Sequence, residues 1–195
     1  LIWVNAQDAH SFERISFYWL YRSDTGDFAV HTGVAATHTL VLGLGNILLT
    51  DDGVGIHVIK ALSRLEDAGE IGHVVALRDG GTIGLALLSE IEEFGSLIVV
   101  DAMQLGETAG TVGTFQGPDM DRQLCGKKRS AHEVALADLM MAAQLAGFGP
   151  ERRALVAIQP ASTGWGLSLT DPVRQAVPEA CRRVVSLLDG WDHDA

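Results

Sequence analysis

Apolar and polar positions follow two periods along most of this chain, and the switches between them mark strands and helices. The apolar run Thr39–Leu44 has the length of a buried strand and leads into the glycines of Gly43-Leu44-Gly45. After Asp52, residues Val54, Val58, Leu62 and Leu65 recur at helical spacing and define one buried face. Residues 74–77 predict a short strand ending in Arg78-Asp79-Gly80-Gly81-Thr82. Thr82 is placed to cap a second helix, with Ile83, Leu87, Leu88 and Ile91 inward and Glu90, Glu92 and Glu93 toward water. Leu97-Ile98-Val99-Val100 is apolar on both faces, as a central parallel strand must be, and it stops at Asp101.

Between residues 106 and 128 the periodicity weakens. Residues 111–115, spaced by glycines, read as an antiparallel or edge strand that Gly117-Pro118 ends. Ser130-Ala131-His132-Glu133 has the Ser-x-x-Glu form of a capping box, so a helix is expected to begin there with His132 in its first turn. Leu136, Leu139, Met140 and Ala143 supply its buried face, and Gly147 and Pro150 close it. Residues 154–158 predict another strand. Asp171-Pro172 opens a last helix with Val173, Val177, Ala180, Val184 and Leu187 inward, which Pro178 is expected to break into two pieces.

This alternation predicts an α/β fold: a three-layer, twisted, mostly parallel sheet with helices on both faces, Rossmann-like, forming a single domain over 39–195. Residues 1–38 stand apart. They hold seven of the twelve aromatics and show no regular period. They are read as an N-terminal extension: a misplaced translation start, a cloning-derived addition or a loosely ordered arm.

Composition narrows the function classes. A formal charge of −11 and a pI near 4.9 argue against nucleic-acid and anionic-membrane partners. Lys127-Lys128-Arg129 is the one basic cluster, read as a solvated loop or a dock for an acidic segment. Cys125 and Cys181 provide neither a disulfide framework nor a Cys-x-x-Cys knuckle, which suits a reducing cytoplasm. No apolar run reaches the roughly 18 residues of a membrane helix.

The chemistry gathers at the strand ends. In a doubly wound sheet the carboxyl ends of the strands share one side, and a crevice opens where strand order reverses. Asp52, Asp79 and Asp101 follow the first three strands of the domain, and an order beginning 2-1-3 would set Asp52 and Asp101 on the two sides of that crevice. His132, early in its helix, can join them. Two acids where a dinucleotide-binding turn would leave room for pyrophosphate favour a cation instead. Two carboxylates and an imidazole suit nickel, zinc, manganese or iron and leave positions open. Ordinary roles are also open to these residues: helix capping for Asp51 or Asp52, a turn for Asp79, a strand end for Asp101, a solvated imidazole for His132. Other catalytic signatures are missing: there is no Gly-x-Ser-x-Gly, His-Glu-x-x-His or phosphate-binding loop. Cys125, seven residues before His132, is the alternative nucleophile.

The segment from Gly43-Leu44-Gly45-Asn46 to Asp51-Asp52-Gly53-Val54-Gly55, then Asp79-Gly80-Gly81-Thr82, Val99-Val100-Asp101-Ala102 and Ser130-Ala131-His132, resembles the nickel-iron hydrogenase maturation endopeptidases in order and spacing. Gln159-Pro160 and Gly166-Leu167-Ser168-Leu169-Thr170 resemble the C-terminal part of that family, and the likeness spans about 39–190. The resemblance implies an endopeptidase that removes a C-terminal peptide from the nickel-loaded precursor of a hydrogenase large subunit. It implies Asp52, Asp101 and His132 as nickel ligands acting in catalysis through the metal, with the nickel carried by the substrate. Asn46 and Asp79 are expected beside this set or against substrate. A non-catalytic nickel-binding maturation chaperone and a Rossmann-like nucleotide binder are the alternatives.

Overall fold

The computed structural model describes residues 18–22, 28–32, 39–73, 75–82, 87–125 and 131–193, and the side chains within 39–73, 75–82, 87–125 and 134–191. The chain forms two compact units, Leu1–Ala36 and Thr37–Ala195. In the first, β1 (Tyr18–Arg22) pairs antiparallel with β2 (Phe28–Thr32), Tyr18 opposite Thr32 and Arg22 opposite Phe28. The periodicity predicts no strand here. Tyr-Trp-Leu-Tyr is nonetheless rich in side chains that favour extended backbone.

The second unit begins with β3 (Thr39–Leu44), followed by a 3-10 turn (Thr50–Gly53) and α1 (Val54–Asp67). Then come β4 (Val75–Gly81), α2 (Leu88–Glu92), β5 (Ser96–Ala102) and β6 (Val112–Gln116). The chain ends with α3 (Pro118–Leu124), α4 (Ala131–Ala146), β7 (Arg152–Ile158) and α5 (Asp171–His193). The sheet order is β4-β3-β5-β7-β6, with β6 alone running antiparallel, at an edge. The start of this order is the 2-1-3 arrangement expected from the sequence.

Strand alternation divides the core in two. Leu40, Leu42, Leu97, Val99 and Leu155 face a layer built from Ile91 of α2, Met120 and Leu124 of α3, and Leu136, Leu139 and Met140 of α4. Val41, Ile98, Val100, Val156 and Ile158 face the other way, onto Val54, Val58 and Leu62 of α1 and Val173, Ala180 and Val184 of α5. Side chains one residue apart in a strand point to opposite faces, so a strand apolar throughout is buried on both sides. All positions of β3 and β5 are buried. This is the three-layer α/β arrangement expected from the alternation of strand and helix.

Three details differ from the sequence expectations, and a fourth falls outside the described residues. β4 continues through Asp79, Gly80 and Gly81: Asp79 pairs with Gly43 and Gly81 with Leu44, while the register shifts past Gly80, so the segment stays in the sheet. A helix opened by Thr82 would occupy 83–86, outside the described residues, whereas α2 begins at Leu88 with Leu87 as its N-cap. α3 was not expected; Gly117-Pro118 ends β6 but also starts this helix, with Pro118 in its first turn, where the missing N–H costs nothing. Pro178 does not divide α5, which runs unbroken to His193. Pro178 and Arg174 lie on the exposed face, so water can take the Arg174 carbonyl that loses its partner while the inward face stays packed. The capping box at Ser130 lies outside the described residues.

Candidate active site

The turn after β3 is shaped by close backbone approach. Gly45 has φ +124°, and a Cβ there would lie 1.8 Å from the Asp52 carbonyl oxygen. A Cβ on Gly55 would lie 2.3 Å from the Val100 oxygen and 2.4 Å from that of Leu44, so the first turn of α1 rests directly on β3 and β5. A dinucleotide-binding turn would have a glycine at the position of Leu48 for such close approach; here Gly55, further along, provides it. Neither acid caps α1. Asp51 and Asp52 occupy the 3-10 turn, and the first turn of α1, capped by Gly53, contains no acid.

Asp52 is buried, and its Oδ2 accepts the backbone N–H of Asn46 at 2.9 Å. Asn46 contributes in two ways: its amide bonds Asp52, and its side-chain oxygen accepts the Leu48 N–H at 2.9 Å, closing the turn locally. Asp101 is buried near the end of β5, opposite Ala157, and its Oδ1 accepts the Ala102 N–H at 2.8 Å. The 3-10 turn packs against β5. Two carboxylates thus sit at the carboxyl ends of neighbouring parallel strands. α1 leaves β3 toward one face, while α3 and α4, which follow β5, cover the other, which makes this the point where a doubly wound sheet opens a crevice.

His132 is the second residue of α4, and its imidazole lies outside the described side chains. Among the described residues no three His, Cys, Asp or Glu side chains are grouped to hold a metal ion, and of the expected trio the side chains of Asp52 and Asp101 are the two described. Asp79 lies elsewhere in character: it is exposed, sits opposite Gly43 in β4, and its Oδ1 accepts the Gly81 N–H at 3.0 Å. Cys125 is exposed at the C-terminal cap of α3. Cys181 is buried in α5, where burial pushes its thiol up to about 11. The basic cluster at 127–129 lies outside the described residues.

Two residues organise this region in ways the sequence reading did not assign. Asp51 is fully buried and binds a distant loop: its Oδ2 accepts the N–H groups of Ala161 at 2.9 Å and Ser162 at 3.0 Å and the Thr170 hydroxyl at 2.8 Å. Its Oδ1 accepts the Thr170 N–H at 2.7 Å. Gln159, at the end of β7, accepts the N–H groups of Leu105 at 2.7 Å, Gly106 at 3.1 Å and Glu107 at 3.4 Å. Its amide nitrogen donates to Gln104 Oε1 at 2.9 Å and to the Pro160 carbonyl at 3.1 Å. One side chain therefore holds the loop that follows Asp101, and the other holds the turn that carries Asp52. Gln159-Pro160 and the Asp-Asp pair were visible as motifs, but their bonding partners were not.

Comparison with known proteins places this geometry. A family model described as hydrogenase maturation protease matches residues 56–187. The hydrogenase expression/formation protein HupD of Rhizobium leguminosarum bv. viciae is 36% identical over 157 residues, covering 80% of this chain and 76% of that protein. The hydrogenase 2 maturation protease of Escherichia coli K12 is 33% identical over 150 residues, covering 76% and 89% respectively. Among solved structures, the hydrogenase maturating endopeptidase HybD from E. coli superposes with a TM-score of 0.71 at 30% identity, over 78% of this chain and 93% of that one. With a family match over more than half its length and relatives of this identity and coverage, the chain belongs to the hydrogenase maturation protease family, a family of endopeptidases.

Proposed function

We propose that this chain cuts one peptide bond near the C-terminus of a nickel-iron hydrogenase large-subunit precursor after that precursor has taken up nickel. The general activity, endopeptidase processing in hydrogenase maturation, follows from the family. The nickel requirement is the finer part of the proposal. The observation that supports it is the pair of buried carboxylates, Asp52 and Asp101, at the carboxyl ends of neighbouring strands. Two like charges so placed favour a cation between them.

In this reading the metal arrives as part of the substrate. Nickel held by precursor thiolates gains Asp52, Asp101 and His132 as further ligands, so a loaded precursor docks and an empty one does not. The residues around the carboxylates set their positions: the Asn46 amide orients Asp52, and Gly55 lets the helix start close enough to β5 to bring that turn beside Asp101. Hydrolysis adds water across the scissile bond, leaving a new carboxylate on the large subunit and an amine on the released peptide.

Incubating the full-length protein with nickel-loaded and nickel-free precursor, followed by intact-mass measurement, tests the proposal. The loaded precursor alone should shorten. Equal shortening of both overturns the nickel requirement, and shortening of neither overturns the activity. Asp52→Asn, Asp101→Asn and His132→Ala should each abolish shortening. Normal cleavage by any one variant removes that residue from the site, and normal cleavage by all three transfers attention to another group such as Cys125.

A further inference from the structure

Large apolar side chains left exposed on a folded surface carry information when they cluster and when the backbone beneath them is fixed. Ile47 and Leu48 in the turn after β3 are 44% and 46% exposed, and Trp165 and Leu167 in the loop before α5 are 85% and 75% exposed. The two segments touch through their backbones. The Thr50 N–H donates to the Gly166 carbonyl at 2.9 Å, and the Gly166 N–H donates to the Leu48 carbonyl at 3.0 Å, so Leu49 and Gly166 form a short parallel bridge. The Thr50 hydroxyl donates to the Ser162 carbonyl at 2.6 Å, and Asp51 holds both ends of the loop, at Ala161, Ser162 and Thr170. The loop is clamped along its length while Trp165 and Leu167 project from it.

Fixed exposure of this kind is unfavourable for the free protein and useful for a partner. A clamped loop loses little conformational freedom on binding, and an exposed Trp is the side chain that most often dominates an interface. The charge pattern points the same way. In a chain of net charge −11, residues 43–50 and 160–170 contain no Asp, Glu, Lys or Arg. The surface selects an apolar stretch.

We propose that Ile47, Leu48, Trp165 and Leu167 form a docking surface for an apolar segment of the large-subunit precursor, on the flank of the site next to Asp52. The inference rests on the processing reading for the identity of its occupant. Continuity with the site makes the precursor that occupant: Leu48 lies four residues before Asp52, and Asn46 beside Ile47 donates its N–H to the Asp52 carboxylate. A polypeptide whose scissile bond reaches Asp52 has this flank within its reach. Recognition then has two parts, metal loading read by the acids and chain identity read by the apolar surface.

The test measures binding separately from cutting. Nickel-loaded precursor is titrated against full-length wild type, Trp165→Ser, Leu167→Ser, the double variant and Trp165→Phe, with the unfolding midpoint of each recorded. The double variant should bind at least about tenfold more weakly, each single variant less so, and Trp165→Phe close to wild type, with midpoints unchanged because both side chains are exposed. Wild-type affinity in the double variant overturns the inference, whatever the cleavage assay gives. So does a wild type that does not bind precursor, or one that dimerises in sedimentation while the double variant stays monomeric, since the occupant is then a second copy. A wild type that binds precursor through this surface but never shortens it overturns the processing reading and leaves the docking surface standing.

Discussion

Exchanging Asp51 for asparagine separates two accounts of the Asp51-Asp52 pair. If Asp51 serves as a helix cap, asparagine replaces it at almost no cost, because the two residues cap about equally well. The structure gives it another role. Its fully buried carboxylate accepts four hydrogen bonds, three on Oδ2 from Ala161, Ser162 and Thr170 and one on Oδ1 from the Thr170 N–H. An asparagine side chain has one oxygen. With that oxygen in the Oδ2 position, its NH2 group faces the Thr170 N–H, donor against donor; flipped, it faces the N–H groups of Ala161 and Ser162. Either way at least two donors are unmatched, and because these hydrogen bonds are only partly buried each costs about 1–2 kcal/mol, so the loss of stability is about 2–4 kcal/mol. Urea denaturation reads this directly. With a slope on the order of 2 kcal/mol per molar, the midpoint of Asp51→Asn should fall by about 1–2 M. A midpoint within about 0.3 M of wild type refutes the reasoning and returns Asp51 to the role of a cap.

Gly55→Ala should cost about 1–3 kcal/mol or more, because the added methyl meets the carbonyl oxygens of Val100 and Leu44 and neither backbone can yield; thermal unfolding checks it, and an unchanged midpoint would show that α1 has slack against the sheet. His57 is held below its ordinary value of 6.5, first by burial and then by Lys60. The unfolded chain therefore binds this proton more readily than the folded one. Stability is full above 6.5 and declines as pH falls through the window below it. His57→Gln should flatten that part of the profile, and denaturation above and below the window in both proteins checks the slope. If nickel arrives with the substrate, the purified protein should contain no stoichiometric metal; elemental analysis finding one tightly held ion per chain that resists mild chelation contradicts that proposal.

Much of the fold was legible because its determinants are local. Two-faced apolar runs at β3 and β5 can only be central strands, the helical spacing of Val54, Val58 and Leu62 can only be one buried stripe, and glycine and proline mark the turns. Strand ends share one side of a doubly wound sheet, so the sequence alone sets Asp52 and Asp101 on that side. α3 escaped because Pro118–Leu124 is too short to show a period. The break expected at Pro178 failed because proline chemistry alone does not say whether the orphaned carbonyl faces water or core.

The sequence by itself determined which segments are strands and helices, which faces are apolar, and that acids stand at the strand ends. Only the tertiary structure decided what those acids do. Asp51 and Asp52 are adjacent and identical in type, yet one bonds residues 110 and 119 positions away while the other accepts a bond from the turn six residues before it. Gln159 likewise reaches back to partners more than fifty residues earlier. Hydrophobic periodicity records only which side of an element is buried. A hydrogen bond closed by folding depends on where two distant backbones meet, and that meeting leaves no periodic trace in either segment.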